Sequence, residues 1–558
     1  MRHASLSTLL MGVPLGAILL GAVVYPSLVL VWQGFTRAGQ PTPANFLAVL
    51  GEADTWRVLG NSLTVSIWAT AIGGAAGTAL AFLVCRTNLP GRRFFRTALL
   101  TPYLIPPFIG ALAWLALLGP VGFVNQLWMA LSGASEPLFG IYGALGIVLA
   151  LALYNYPLTY ITVLASLERM DPALEEASRN AGAAPLRTAW DVTLPLVAPA
   201  IGAGAVLVFL SSVANFGIPA ILGFPAKYFV LTTKIYATIL DFDRPHNFGL
   251  AAALSFLLVL AAGAAMALQR LMIRGRGYGL TRGGGGPLAV LELGGWRRPA
   301  GILVAGFLLI TSVAPVAAIL VTSLTRAFGM PLGWENLTLR NYTNLFFMYP
   351  AVWRALRNSL ILAACSGTVA VVLGVVVAYV QARTRLHGKG VLEALVVLPF
   401  AVPGTVVALA MILAFLRPVL GITLYNTIWI ILVAYVARFL ALAVKPILAA
   451  LTQIHPSLEE AARSSGATLA RSLRDVTLPL IRPALIAGWF LAAVPAVTEL
   501  TLSVLLWSVG NETVGVMVFN MHEEGKVLLS SALAVVVMLI ALASNLLIRR
   551  LDGGRGGV

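Results

Sequence analysis

Long apolar runs alternate with short polar stretches along the whole chain. Twelve such runs lie near 9–32, 60–85, 97–118, 139–165, 197–221, 248–270, 300–324, 358–381, 391–416, 424–449, 484–508 and 527–548. A helix rises about 1.5 Å per residue and needs roughly 20 apolar residues to cross a bilayer core. The pattern therefore predicts an all-α polytopic membrane protein with about twelve transmembrane helices. The first run lacks a convincing small-x-small cleavage site, so 9–32 is expected to be a retained helix rather than a signal peptide. Pro102, Pro106, Pro399 and Pro403 are expected to start and kink the third and ninth helices.

Composition agrees with lipid as the solvent: 59% of the 558 residues are hydrophobic and 10% are charged. A soluble domain carries about a quarter charged residues. The net charge of +16 would suit a nucleic-acid partner, but its distribution excludes one. With a cytoplasmic amino terminus, 24 of the 37 lysines and arginines fall on the cytoplasmic side and 11 outside, leaving Arg438 and Lys445 in the tenth span. This is the positive-inside bias, and it places both termini in the cytoplasm. Cys85 and Cys365 lie in apolar segments without ligand spacing, which suits buried hydrophobes and neither a disulfide nor a metal site.

The chain is written twice. Trp56, Asn61-Ser62-Leu63, Arg86-Thr87, Gly91, Pro102 and Pro106 recur 297 residues later as Trp353, Asn358-Ser359-Leu360, Arg383-Thr384, Gly388, Pro399 and Pro403. Further along the offset falls to 284, so the first half carries 13 extra residues, expected in the outer loop around Gly119–Gly140. Two parallel six-helix repeats follow, at 1–271 and 300–558. Between them runs a Gly/Arg-rich linker, 272–299, with Arg274, Arg276, Arg282, Gly283 to Gly286 and Arg297-Arg298, expected to be cytoplasmic.

One polar loop in each repeat, 168–195 and 452–479, carries the most information. The first reads Glu175-Glu176-Ala177-Ser178-Arg179-Asn180-Ala181-Gly182 and continues to Asp191-Val192-Thr193-Leu194-Pro195. The second reads Glu459-Glu460-Ala461-Ala462-Arg463-Ser464-Ser465-Gly466 and continues to Asp475-Val476-Thr477-Leu478-Pro479. Pro172 and Pro456 suit helix starts, with the acids in the first turn where the helix dipole favours them. Gly182 and Gly466 permit a sharp turn or a close approach. A short helix, a turn and a second short helix are expected in each. One copy would equally suit an amphipathic helix on the membrane surface; two copies on one side point to docking.

The pattern resembles the EAA loops of binding-protein-dependent ABC importer permeases, over nearly the whole chain, with Ser178 in place of the third-position alanine. The resemblance implies a type I ABC importer permease fold and coupling helices that sit on a cytoplasmic ATPase. Glu175, Glu176, Ala177, Gly182, Glu459, Glu460, Ala461 and Gly466 would be the ATPase-coupling residues. Glu176 and Glu460 would meet or orient the ATPase surface. It further implies two copies of that ATPase, which would bind ATP and Mg, an external or periplasmic substrate-binding protein, and a bacterial inner membrane location. The strings Phe216-Gly217-Ile218-Pro219-Ala220 and Glu499-Leu500-Thr501-Leu502-Ser503 are similar to those of ferric-iron-type permeases; thiamine and aminoethylphosphonate permeases share the layout.

No cofactor is expected in the chain itself. Gly388-Lys389 lacks the preceding glycine and following Ser/Thr of a phosphate-binding loop, so an enzyme is not expected. Ionisable groups inside spans are costly and mark function by default. Glu499, expected at the centre of the eleventh helix, and its counterpart Asn215 are the pathway candidates; the alternative is a carboxyl bonded to neighbouring helices. Arg438 is expected to pair with an acid or to snorkel. An ion-coupled secondary transporter is the rival class, but it needs coupling residues within the spans and no duplicated dock.

Overall fold

Apolar side chains all round a helix force it into lipid or a protein core, and most of this chain takes that form. The computed structural model describes residues 15–273, 290–330, 333–384, 388–419 and 421–551, without the side chains of 270, 272–273 and 547–551. Arg274, Arg276, Arg282 and 283–286 of the linker lie outside the described residues.

The first repeat holds α1 (Leu15–Gly34), α2 (Ala53–Arg86), α3 (Pro107–Leu118), α4 (Ala144–Arg169), the short α5 (Pro172–Asn180), α6 (Pro185–Val213), the short α7 (Gly217–Gly223) and α8 (Asn247–Ile273). The second holds α9 (Gly294–Ser323), α10 (Pro350–Arg383), α11 (Lys389–Ala401), α12 (Gly404–Phe415), α13 (Ile428–Gln453), the short α14 (Ser457–Ser464), α15 (Leu469–Leu480), α16 (Arg482–Val497), the short α17 (Ser503–Leu506), α18 (Val514–Glu523) and α19 (Val527–Leu551). Among the described residues, ten helices are long and apolar enough to span a membrane, or twelve if the bent pairs α11/α12 and α15/α16 each count as one span.

Two expectations about the spans need correction. The third and ninth runs are broken, not merely kinked. Between α11 and α12 the direction changes by 107°. Proline pushes its predecessor into extended backbone, and Val402 before Pro403 has ψ 139°, Ile105 before Pro106 ψ 131°. The fifth and eleventh runs also stop early: α6 ends at Val213 and α16 at Val497, so Glu499 lies beyond its helix rather than at its centre. In the extra stretch of the first repeat, Phe123–Ser132 is helical, and Asn125 ties it to the carbonyls of Leu118, Gly119 and Phe139.

By contact the chain divides into two compact units that do not follow the repeat boundary. One comprises Leu50–Ile235 and Phe256–Asn341, so it joins the α2–α7 core to α9, the first helix of the other repeat. There Tyr156 on α4 lies edge-on to Phe307 on α9, with ring centroids 5.2 Å apart. Its hydroxyl donates to the Leu99 carbonyl at 2.7 Å. Close helix packing needs small residues. A Cβ on Gly77 of α2 would lie 2.6 Å from the Tyr156 carbonyl oxygen.

The other unit comprises Met1–Val49, Tyr236–Ser255 and Tyr342–Val558, joining the second repeat's core to α1. Tyr25 on α1 donates to the Ala414 carbonyl of α12 at 3.2 Å. The repeated Asn-Ser pairs do one job in both units. Ser62 accepts from the Leu231 amide and Ser359 from the Val514 amide, while Asn61 and Asn358 donate to carbonyls of the same segments.

Candidate docking elements

Asp171 caps α5 by accepting from the Ala173 amide, and Pro172 takes the first helical position, where its missing N–H costs nothing. The helix stops after nine residues because Gly182 takes φ +87°, a left-handed conformation that glycine adopts without penalty. The Ala183 and Gly182 amides then close the turn on the Ser178 and Arg179 carbonyls. The second copy repeats this: Gly466 has φ +87°, and the Ala467 and Gly466 amides return to Ala462 and Arg463. Among the described residues, nothing beyond the chain neighbours lies within 4 Å of where a Cβ on either glycine would sit, so the turn, not crowding, requires them.

After the turn α6 and α15 each run through one helical turn and then one π turn, Ala189–Thr193 and Leu473–Thr477 respectively. The wider turn includes Thr193 or Thr477. Thr193 donates to Glu175 Oε1 at 2.7 Å, and Thr477 to Glu459 Oε1 at 3.1 Å. Ser178 hydrogen bonds Thr188 at 3.0 Å, a contact the usual alanine could not make. In the second copy Ala462 stands at that position, and the Ser472 hydroxyl is unpaired among the described residues.

The acidic pair splits. Glu175 and Glu459 are buried, whereas Glu176, Ala177, Gly182, Glu460, Ala461 and Gly466 are exposed. Consecutive helical residues point about 100° apart, so one acid can face inward and the next outward. Arg86, the last residue of α2, places Nη1 3.5 Å from Glu175 Oε2 and donates through Nη2 to the Leu167 carbonyl at 3.1 Å. Arg383, the last residue of α10, donates Nε to Glu459 Oε1 at 3.2 Å and Nη2 to the Ile454 carbonyl at 2.7 Å. Tyr379 adds a bond to Glu459 Oε2 at 3.2 Å. The inward acids thus fasten each element to its own bundle, leaving the outward acids exposed. Large apolar side chains share the exposed surface: Leu174, Leu458 and Leu186, the last 81% exposed.

The family described as the binding-protein-dependent transport system inner membrane component matches residues 73–277 and again 370–555. The chain belongs to this family. Both matches include one of the candidate elements together with Arg86 or Arg383, which holds it. The permease is 28% identical, over 93% of its length and 75% of the relative's, to the ferric transport system permease protein FbpB of Actinobacillus pleuropneumoniae. It is 30% identical, over 88% of its length and 76% of the relative's, to a putative ferric transport system permease protein of Haemophilus influenzae. A putative 2-aminoethylphosphonate transport system permease protein of Salmonella paratyphi A is 28% identical over 46% of the permease and 94% of that relative.

The two pathway candidates of the permease occupy equivalent turns after α6 and α16. Asn215 Oδ1 accepts from the Ile218 amide at 3.0 Å, at the start of α7. The Glu499 carboxylate accepts from the Leu502 and Ser503 amides at 2.9–3.1 Å, at the start of α17. Both are buried and satisfy backbone donors that a helix start leaves open. Arg438 donates to the Val402 carbonyl at 3.1 Å, at the break between α11 and α12.

Sequence reasoning placed Thr193 and Thr477 inside the two loops without giving them a role, and it did not connect Arg86 or Arg383 to those loops. The signal was present, since Arg-Thr and Asp-Val-Thr-Leu-Pro recur in both repeats.

Proposed function

We propose that the permease imports ferric iron in an ATP-driven system, receiving it from an external binding protein and releasing it to the cytoplasm by alternating access. Two docking elements of matching build carry this reading. Each has an exposed glutamate, Glu176 or Glu460, beside an exposed leucine, on a helix whose inner face is fixed to the bundle. A fixed helix with an open polar and apolar face suits a partner that pushes. Two copies of a cytoplasmic ATPase, holding ATP and Mg themselves, engage one element each, and both termini of the permease lie on that side.

In this cycle a loaded binding protein docks outside while ATP binding brings the ATPase subunits together. The elements at 168–195 and 452–479 follow and turn the pathway outward. Hydrolysis restores the inward-facing state. The iron assignment rests on similarity to ferric permeases along about nine-tenths of the chain. The phosphonate relative aligns with less than half of it.

Ligand analysis of the binding protein co-purified with the permease tests the cargo. Bound ferric ion supports the assignment, and a bound phosphonate replaces it. Charge reversal at Glu176 and Glu460 tests the docking. ATPase co-purification is expected to fall sharply, and unchanged co-purification with unchanged transport would refute the assignment.

A further inference from the structure

We propose that the buried pairs Arg86–Glu175 and Arg383–Glu459 are positioning links that transmit movement of the docking helices into the membrane bundle; this rests on the docking assignment above. Each carboxylate gathers four chain segments at one point. In the first repeat these are the end of α2 through Arg86, the last turn of α4 through the Leu167 carbonyl bound to Arg86, α5 itself, and the π turn of α6 through Thr193. The second repeat gathers α10, the end of α13, α14 and the π turn of α15 through Arg383, Ile454, Glu459 and Thr477.

A joint that transmits displacement must not slip. The Arg86 and Glu175 side chains are only 2% and 9% exposed, and Arg383 and Glu459 10% and 11%. Separating such a pair strands charge away from water, so the helix moves with its bundle instead of sliding across it. Adjacent acids on one helix take separate tasks: Glu176 and Glu460 face the partner, while Glu175 and Glu459 face the bundle.

The two links are stiffened differently. Residues from the end of the inter-repeat linker reinforce the first: the Leu291 amide donates to the Arg86 carbonyl at 2.8 Å, the Asn88 amide to Leu291 at 3.1 Å, and Arg297 Nε to the Asn88 carbonyl at 3.1 Å. In the second the Tyr379 hydroxyl serves, at a position where the first repeat has Phe82.

The test uses the permease reconstituted with its ATPase and loaded binding protein, reading cargo imported per ATP hydrolysed. For Glu175→Gln with Glu459→Gln, ATPase co-purification and hydrolysis are expected to persist while cargo per ATP falls on the order of tenfold. The swap Arg383→Glu with Glu459→Arg should recover part of the ratio lost in either single change. Thr477→Val, which leaves the charges paired, supplies a milder variant should the glutamine pair fail to assemble; its ratio should also fall. Docked, hydrolysing variants with an unchanged ratio would overturn the proposal. Failure of the docking assignment looks different: Glu176→Arg with Glu460→Arg would then leave ATPase co-purification intact.

Discussion

The hydroxyl of Thr193 donates to the Glu175 carboxylate over 2.7 Å, fastening the exit of a docking element to its opening helix 18 residues earlier. A hydrogen bond to a charged group contributes about 1.5–3 kcal/mol. Thr193→Val is therefore expected to lower the thermal stability of the detergent-purified permease and to speed hydrogen exchange in Pro172–Asn180. Thr193→Ser keeps the donor and should restore most of both.

Gly182 and Gly466 carry the reversal in each docking element at φ +87°. A residue with a Cβ in that conformation costs about 1–2 kcal/mol. Gly182→Val should therefore shift the loop and reduce ATPase co-purification, while Gly182→Asn, which tolerates left-handed backbone, should retain it. Equal loss with Asn and Val would count against the backbone explanation.

Gly77 allows α2 to reach α4, with the Tyr156 carbonyl oxygen 2.6 Å from a hypothetical Cβ. Gly77→Ala is expected to lower the yield of folded protein by size-exclusion chromatography. Gly110→Ala, where nothing lies within 4 Å, should leave it unchanged. At Gly374, the equivalent position on α10, the nearest atom is the flexible Ile447 Cδ1 at 3.3 Å, so alanine there should be milder.

Glu499 accepts backbone amides at the start of α17, a task that needs an oxygen but not a charge. Glu499→Gln is expected to keep transport within about twofold, whereas Glu499→Ala should destabilise by about 1–3 kcal/mol by leaving buried amides unpaired. A large transport loss for the glutamine variant with normal stability would assign the carboxylate an ionic role in the pathway.

Helix positions were legible because the apolar runs are long and each repeat corroborates the other. The helix–turn–helix build of the two polar loops was legible down to the turn glycines, because left-handed backbone selects glycine locally. The exchange of α1 and α9 between units was not, since Tyr25 meets Ala414 across 389 residues and leaves no local mark. The ends of α6 and α16 were misplaced because Asn215 and Glu499 sit in apolar surroundings that read as continuous helix; only their backbone bonds show them starting a new element. The division of labour between Glu175 and Glu176 required knowing where Arg86 lies.

In the proposed cycle a separate ATPase, engaged at the two loops, powers the permease. The direct measurement is cargo uptake into proteoliposomes holding the permease, its ATPase and loaded binding protein, with the ATPase either active or inactivated at its own ATP site. Uptake should follow ATP hydrolysis and stop with the inactive ATPase at any ion gradient. Uptake that persists without hydrolysis and scales with an imposed ion gradient would contradict it.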